Sequence, residues 1–258
     1  MQKYQKNLTV AEVLQPHERY VLLKLTQPEL LPPVRAGQFV EVKVEGSPST
    51  FLRRPISINF VDRARNELWL LVAMVGEGTK ALGRLRAGDV LDVVFPLGNG
   101  FTQSQTPAER VLLVGGGVGV APLLEYGQQL RAAGAVPLFL LGARTAKDLL
   151  ELDCFRALGE VFVTTEDGSA GEQGFVTQHS ILKTARFDRI SCCGPKPMMV
   201  SVARYAKQAG IPCEVSLENM MACGLGACLC CVEKTVKGNV CVCTEGPVFN
   251  INDLTWDI

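Results

Sequence analysis

Short apolar runs, alternating or continuous, fill the first hundred positions of the chain: VLLKL (21–25), QFVEVKV (38–44), ISINF (56–60), LWLLVAMV (68–75) and VLDVVF (90–95). Each is rich in β-branched and aromatic residues and is bounded by turn-forming clusters such as GSPS (46–49) and RAGD (86–89), the pattern of regularly spaced strands in a small barrel or sandwich. A polar, glycine-containing stretch, LGNGFTQSQTP (97–107), separates this region from one of different rhythm. There, VLLV (111–114), VPLFLLG (136–142), VFVTT (161–165) and RISCC (189–193) are continuous apolar strands, interleaved with the amphipathic segments LLEYGQQLRAAG (123–134) and MMVSVARYAKQAG (198–210). Strands buried on both faces and alternating with helices predict a parallel sheet covered on each side. The expected fold class is therefore α/β plus a β-barrel, with boundaries at 1–100, 101–213 and a cysteine-rich tail, 214–258. That tail is too short to stand alone without something to hold it together.

Composition narrows the function classes. With 258 residues, 47% hydrophobic and 20% charged, the chain can bury a core in each of two modest domains. Its 26 basic and 26 acidic residues cancel without a run of either sign, so nothing predicts a nucleic-acid or anionic-lipid surface. Mean hydropathy is slightly positive, +0.18. The N-terminal MQKYQKNLTV has no apolar core of a secretory signal, and no apolar run approaches the roughly 20 residues of a membrane span. A cytoplasmic location is expected, and in a reducing compartment ten cysteines point to metal or redox chemistry rather than to disulfides.

Six of those cysteines lie between Cys223 and Cys243. Cys223, Cys228 and Cys231 have the C-x4-C-x2-C spacing of a plant-type [2Fe-2S] cluster. Gly224, Gly226 and Ala227 between them are small enough for a loop to close tightly and aim backbone N–H groups at sulfur. The fourth ligand is open between Cys241 and Cys243, which share a face if VCVC is a strand. Cys230, adjacent to Cys231, is expected to turn into the core, and Cys154 and Cys213 to behave as small buried apolar residues. A structural zinc site of Cys228, Cys231, Cys241 and Cys243 competes with the cluster but leaves Cys223 and its glycines unexplained. A Rieske centre needs two nearby histidines, and the chain has only His17 and His179.

Three further motifs suit flavin and nucleotide phosphates. In FLRRPISI (51–58), Arg54 can neutralise a phosphate and Ser57 can hydrogen-bond an isoalloxazine ring. In VGEGTKAL (75–82), Gly78 and Thr79 open a short helical segment whose N–H groups suit a pyrophosphate. GGGVGVAPLL, with Gly115, Gly116, Gly117 and Gly119, runs from strand to helix but has Val120 at the last glycine of the dinucleotide fingerprint. CCGPKPMM (192–199) makes a second such turn. Each motif also has a plain structural reading: a surface arginine, a helix cap, a tight turn.

Taken in order, RRPISI, VGEGTK, GGGVGVAPLL, TTEDGSAGEQGFVT, CGPKPMM and ENMMACGLGACLCC…CVCTEGPVF resemble the ferredoxin-reductase superfamily and, within it, the electron-transfer subunits of class 1B dihydroorotate dehydrogenase. The resemblance spans nearly the whole chain. It implies an FAD-binding β-barrel (1–100), a pyridine-nucleotide domain (101–213) and a [2Fe-2S] domain (214–258). It also implies a heterotetramer with an FMN-containing catalytic subunit, and NAD as the nicotinamide partner. It places FAD at Arg54, Pro55, Ile56 and Ser57, at Leu71, Val72 and Ala73, and at Gly78 and Thr79. It selects Cys243 as fourth ligand, because the family's C-x-D/E-G-P matches Cys243 to Pro247, with a short hairpin around Lys237-Gly238-Asn239 before it. Cys193 and Glu218 are candidates for the nicotinamide pocket, and Arg144 follows the second strand of the nucleotide domain, where a 2′-phosphate would be read. Related flavin subunits of ferredoxin:NADP oxidoreductases or hydrogenases remain an alternative. The first of these begins its cluster motif with an aspartate where this chain has Cys223. A zinc-stabilised binding module is the non-enzymatic alternative.

Overall fold

The computed structural model describes residues 2–258. Contacts divide the chain into two compact units, one of Met1–Gly100, Glu218–Glu233 and Asn239–Pro247, the other of Phe101–Leu217, Lys234–Gly238 and Val248–Ile258.

The first unit is built on β1 (Tyr4–His17), β2 (Tyr20–Thr26), β3 (Phe39–Val42), β4 (Arg54–Ser57), β5 (Phe60–Asp62), β6 (Glu67–Ala73), helix α1 (Glu77–Leu82) and β7 (Val90–Leu97). Its seven strands form one antiparallel sheet in the order β4-β3-β7-β1-β2-β6-β5. The run ISINF, expected as a single strand, is divided. Ile58 donates its N–H to Gln38 O and Asn59 donates to Trp69 O, at 3.0 and 2.9 Å, so the chain changes partner between β4 and β5. The two edges of the sheet are thus one continuous segment, and the sheet curls into a barrel around Leu8, Leu23, Val40, Leu70 and Val93. The long strand β1 lacks an apolar run because only Leu8 and Val10 of its residues are buried.

The second unit holds β8 (Arg110–Gly116), α2 (Ala121–Ala132), β9 (Val136–Ala143), α3 (Leu152–Leu158), β10 (Glu160–Thr165), β11 (Glu172–Gln173), α4 (Ile181–Thr184), β12 (Arg189–Cys193), α5 (Lys196–Ala209) and β13 (Cys213–Ser216). The chain closes with hairpin β14 (Val232–Thr235) and β15 (Gly238–Cys241), the one-turn helix α6 (Val242–Glu245) and β16 (Val248–Asn250). The sheet order is β11-β10-β9-β8-β12-β13-β16, parallel throughout except for β16, which pairs antiparallel with β13. Helix α5 buries Met199, Val202, Ala203 and Ala206, a stripe of helical period, and stops at Gly210 in the left-handed conformation (φ 68°). Because β9 lies on one side of β8 and β12 on the other, the connections diverge between β8 and β12. In open α/β sheets the crevice at that divergence is where ligands bind.

Candidate functional site

The cysteine loop belongs to the barrel-containing unit. Cys231 and Cys243 are buried, Cys223 is half-buried and Cys228 is exposed. Gly224 and Gly226 take φ of 65° and 82°, and Leu229 is left-handed at 59°, so the loop turns sharply enough for its amides to point inward. Leu225 and Cys228 donate backbone N–H groups to Cys223 Sγ at 3.3 and 3.4 Å, and Gly226 donates to Cys243 Sγ at 3.2 Å. Cys243 N–H in turn donates to Cys231 Sγ at 3.4 Å, and Val242 N–H to Cys231 O at 3.0 Å. Burial opposes ionisation of Cys223, but the amide donors of Leu225 and Cys228 outweigh it and bring its thiol down to about 6. Donors that stabilise thiolate also hold an iron–sulfur centre, so these residues fit the group.

Cys241 ends β15 while Cys243 sits in α6, so the two do not share a strand face as VCVC suggested. Burial, then the neighbouring Cys231, raises the Cys241 thiol, so it stands close to the same cysteines. Cys230 is exposed rather than turned into the core, because adjacent Cys231 takes the inward position, and Cys154 is exposed on α3; Cys213 is buried as expected. Among the described residues, no group of three or more His, Cys, Asp or Glu is drawn together as a single metal ion requires. A two-iron cluster, by contrast, takes its four thiolates in two pairs.

On the barrel, Arg54 and Gly78 come together. An open pocket of about 400 Å³ is lined by Thr50, Arg54, Gly76, Glu77, Gly78 and Thr79. A Cβ on Gly78 would fall 3.0 Å from Thr50 Cγ2 and 3.1 Å from Arg54 Nε, so the approach of α1 to the arginine depends on glycine there. Ser49 hydrogen-bonds Glu77 across the pocket rim. The loop containing Ser49 and Thr50 reads in the sequence only as a turn, and its part in the pocket was not anticipated. Pro55 and Ser57 are half-buried and Ile56 is buried; on β6, Leu71 and Val72 are buried and Ala73 is half-buried. β4 packs against β6, so these two stretches are neighbours.

Beneath the cysteine loop lies a residue without a sequence signal. Glu41 is fully buried, and both its carboxyl oxygens lack a hydrogen-bond partner. Burial lifts its pKa to about 7 against the pull of Arg53.

In the second unit, the turns after β8 and β12 meet. A Cβ on Gly119 would lie 2.5 Å from Gly194 Cα and 2.6 Å from Cys193 O, and one on Gly116 would lie 2.6 Å from Met198 Sδ. Gly117 has φ 56°. The two glycine turns therefore pack against each other at the crevice where the connections diverge between β8 and β12. Cys193 ends β12 beside it, half-buried, whereas Glu218 lies two residues past β13, exposed and in the other unit. Arg144 follows β9 directly and accepts the Asp167 N–H on its carbonyl at 3.2 Å.

A curled antiparallel sheet, a parallel-sheet unit with a glycine crevice and a C-terminal cysteine loop define a ferredoxin-reductase-like electron-transfer protein. Solved structures agree. A chain of an NADH-dependent reduced ferredoxin-NADP oxidoreductase superposes with a TM-score of 0.86 at 30% identity, covering 97% of this chain and 90% of that one. The ferredoxin reductase of carbazole 1,9a-dioxygenase shares the fold, with a TM-score of 0.70 at 20% identity over 82% of this chain and 68% of that one. Residues 218–255 match the iron-sulfur cluster binding domain of dihydroorotate dehydrogenase B. The dihydroorotate dehydrogenase B (NAD(+)) electron transfer subunits of Fusobacterium nucleatum and Lysinibacillus sphaericus are 39% and 41% identical to this chain. They align over 84% and 86% of it and over 86% and 87% of their own lengths. The chain belongs to this family of dihydroorotate dehydrogenase B electron transfer subunits.

Proposed function

We infer that Cys223, Cys228, Cys231 and Cys243 hold the [2Fe-2S] cluster, that FAD lies along Arg54–Ser57, Leu71–Ala73 and Gly78–Thr79, and that NAD meets the glycine crevice of Gly115, Gly116, Gly117 and Gly119. The protein is the electron-transfer subunit of an NAD-linked dihydroorotate dehydrogenase, and its partner is the catalytic subunit of that enzyme. The amide-ringed cysteine loop within the matched iron–sulfur segment carries this reading.

Bound FAD would supply the conversion between single-electron and hydride transfer, which no side chain can. The chain's own part is placement. Arg54 and the free N–H groups at the start of α1 carry positive potential into the 400 Å³ pocket, suited to pyrophosphate. The loop amides neutralise negative charge on the cysteine sulfurs. The absence of side chains at Gly116 and Gly119 lets the turns after β8 and β12 pack closely and so sets the strand-end backbone that a dinucleotide would meet. Cys193, which ends β12, is assigned to the nicotinamide pocket. The working division is an FAD domain at 1–100, a nucleotide domain at 101–213 and a cluster domain at 214–258. The assembly is a heterotetramer with an FMN-bearing partner, in the cytoplasm; no helix among the described residues is long and apolar enough to cross a membrane.

The test is anaerobic purification at native expression. Iron and acid-labile sulfide, an EPR signal on reduction, bleaching of the flavin by NADH and a co-purifying flavin-bearing dehydrogenase subunit are expected. Colourless protein holding zinc would overturn the reading.

A further inference from the structure

Glu41 pairs with Pro55 across the antiparallel β3–β4 ladder, and Phe39 with Ser57. Directly opposed residues of such a ladder share a face, so Glu41 lies on the same side of the sheet as Pro55 and Ser57. The other face carries Val40, Val42 and Ile56 into the barrel core. The cysteine loop covers the Glu41 face. A Cβ on Gly224 would fall 2.7 Å from Glu41 Cγ, 3.1 Å from its Oε1 and 3.1 Å from Leu97 Cδ1, and one on Gly98 would meet Pro247 Cδ at 2.7 Å and Phe39 Cε1 at 3.0 Å. The carboxyl therefore lies between the sheet face it shares with Pro55 and Ser57 and the loop assigned to the cluster.

Arg53 and Arg54 pull on Glu41 electrostatically, but neither hydrogen-bonds its carboxyl oxygens. Arg53 is engaged with the Asp92 carboxylate at 2.6 Å and the Asp92 carbonyl at 2.9 Å. Arg54 Nη1 donates to the carbonyls of Leu52 and Arg53 at 2.9 and 3.2 Å. A buried acid with two unpartnered oxygens is far less favourable than an amide or an alkyl group of similar shape. Packing alone gives no reason for its presence.

We propose that Glu41 is a positioning residue for electron transfer: a buried acid without a hydrogen-bond partner, under the cysteine loop, that holds the reduction potential of the iron–sulfur cluster down and so favours passage of its electron to the flavin. A negative charge packed against the loop that would hold the cluster, in a setting that screens poorly, would disfavour the added electron. The inference rests on the cluster assignment made above.

The experiment is an EPR-monitored redox titration of the intact complex at pH 8.5 for wild type, Glu41→Gln and Glu41→Leu. Both variants are expected to retain full iron and sulfide and to show about a tenfold higher reduced-to-oxidised ratio at a fixed applied potential, equivalent to a rise of about 59 mV for a one-electron couple. A reduced-to-oxidised ratio within twofold of wild type, or lowered, with iron intact would overturn the proposal. Loss of iron from both variants would overturn it as well, because Glu41 would then be a prop for the loop. Wild-type complex without iron would instead bring down the cluster assignment itself, an outcome that iron analysis separates from the others.

Discussion

Replacing Gly119 by alanine drives a methyl group into backbone that has nowhere to go. The new Cβ would stand 2.5 Å from Gly194 Cα and 2.6 Å from both Gly194 N and Cys193 O, whereas ordinary contact begins near 3.4 Å. The turns after β8 and β12 must therefore part by about 0.9 Å, and β12 is held by ladders to β8 and β13 on either side. Overpacking of this kind costs about 1–3 kcal/mol. If the strain is relieved by opening the crevice, NADH affinity falls by about 10- to 100-fold, at about 1.4 kcal/mol per decade. The assay is anaerobic titration of flavin reduction with NADH, alongside denaturant unfolding, with flavin and iron content as controls. Gly134→Ala is the companion variant. Gly134 lies in the same unit with φ 81° and nothing within 4 Å of its Cβ position, so it loses about 1–2 kcal/mol to backbone strain alone and leaves NADH binding unchanged. Wild-type NADH affinity and stability in Gly119→Ala, or equal weakening in both variants, would refute the argument.

Cys243→Ser is expected to abolish the reduced-cluster EPR signal and remove most of the iron, whereas Cys241→Ser keeps both; iron analysis of the two variants decides the fourth ligand. Arg54→Gln removes a charge-assisted partner worth about 1.5–3 kcal/mol, so FAD should dissociate roughly ten- to a hundredfold more readily, read by fluorescence of released flavin during dialysis. His179 is buried against Phe162 and lies 3.5 Å from Glu172, and burial lowers its pKa below 6.5 despite the pull of that carboxylate. In the window between its folded value and 6.5 the unfolded chain binds more protons, so stability rises with pH. The contribution is complete above about 6.5 and is lost as pH falls through the folded value. His179→Phe should flatten the stability profile between pH 7 and 5, measured by urea unfolding.

The strands VLLKL, QFVEVKV, LWLLVAMV and VLDVVF, the four nucleotide-unit strands and helices α2 and α5 were legible because each carries its own apolar period, which a sequence window contains whole. So were the cysteine spacing and the hairpin at Lys237-Gly238, since ligand geometry and turn chemistry are local. Strand β1 was not: its exposed side chains leave only Leu8 and Val10 as a pattern, and one of its two ladders is made with β7, far along the chain. The same holds for the partner change at Ile58–Asn59, which depends on Gln38 and Trp69 carbonyls that no local motif announces. Cys230 faces outward and Cys243 leaves the strand because α6 begins where Val242 ties back to Cys231. Glu41 reads in the sequence as one polar residue in an alternating strand, a position ordinarily facing water. Residue types and their spacing thus determined the chemistry available to this protein. Packing between segments distant in sequence decided which groups lose water and which meet, because burial belongs to the folded neighbourhood and not to the residue.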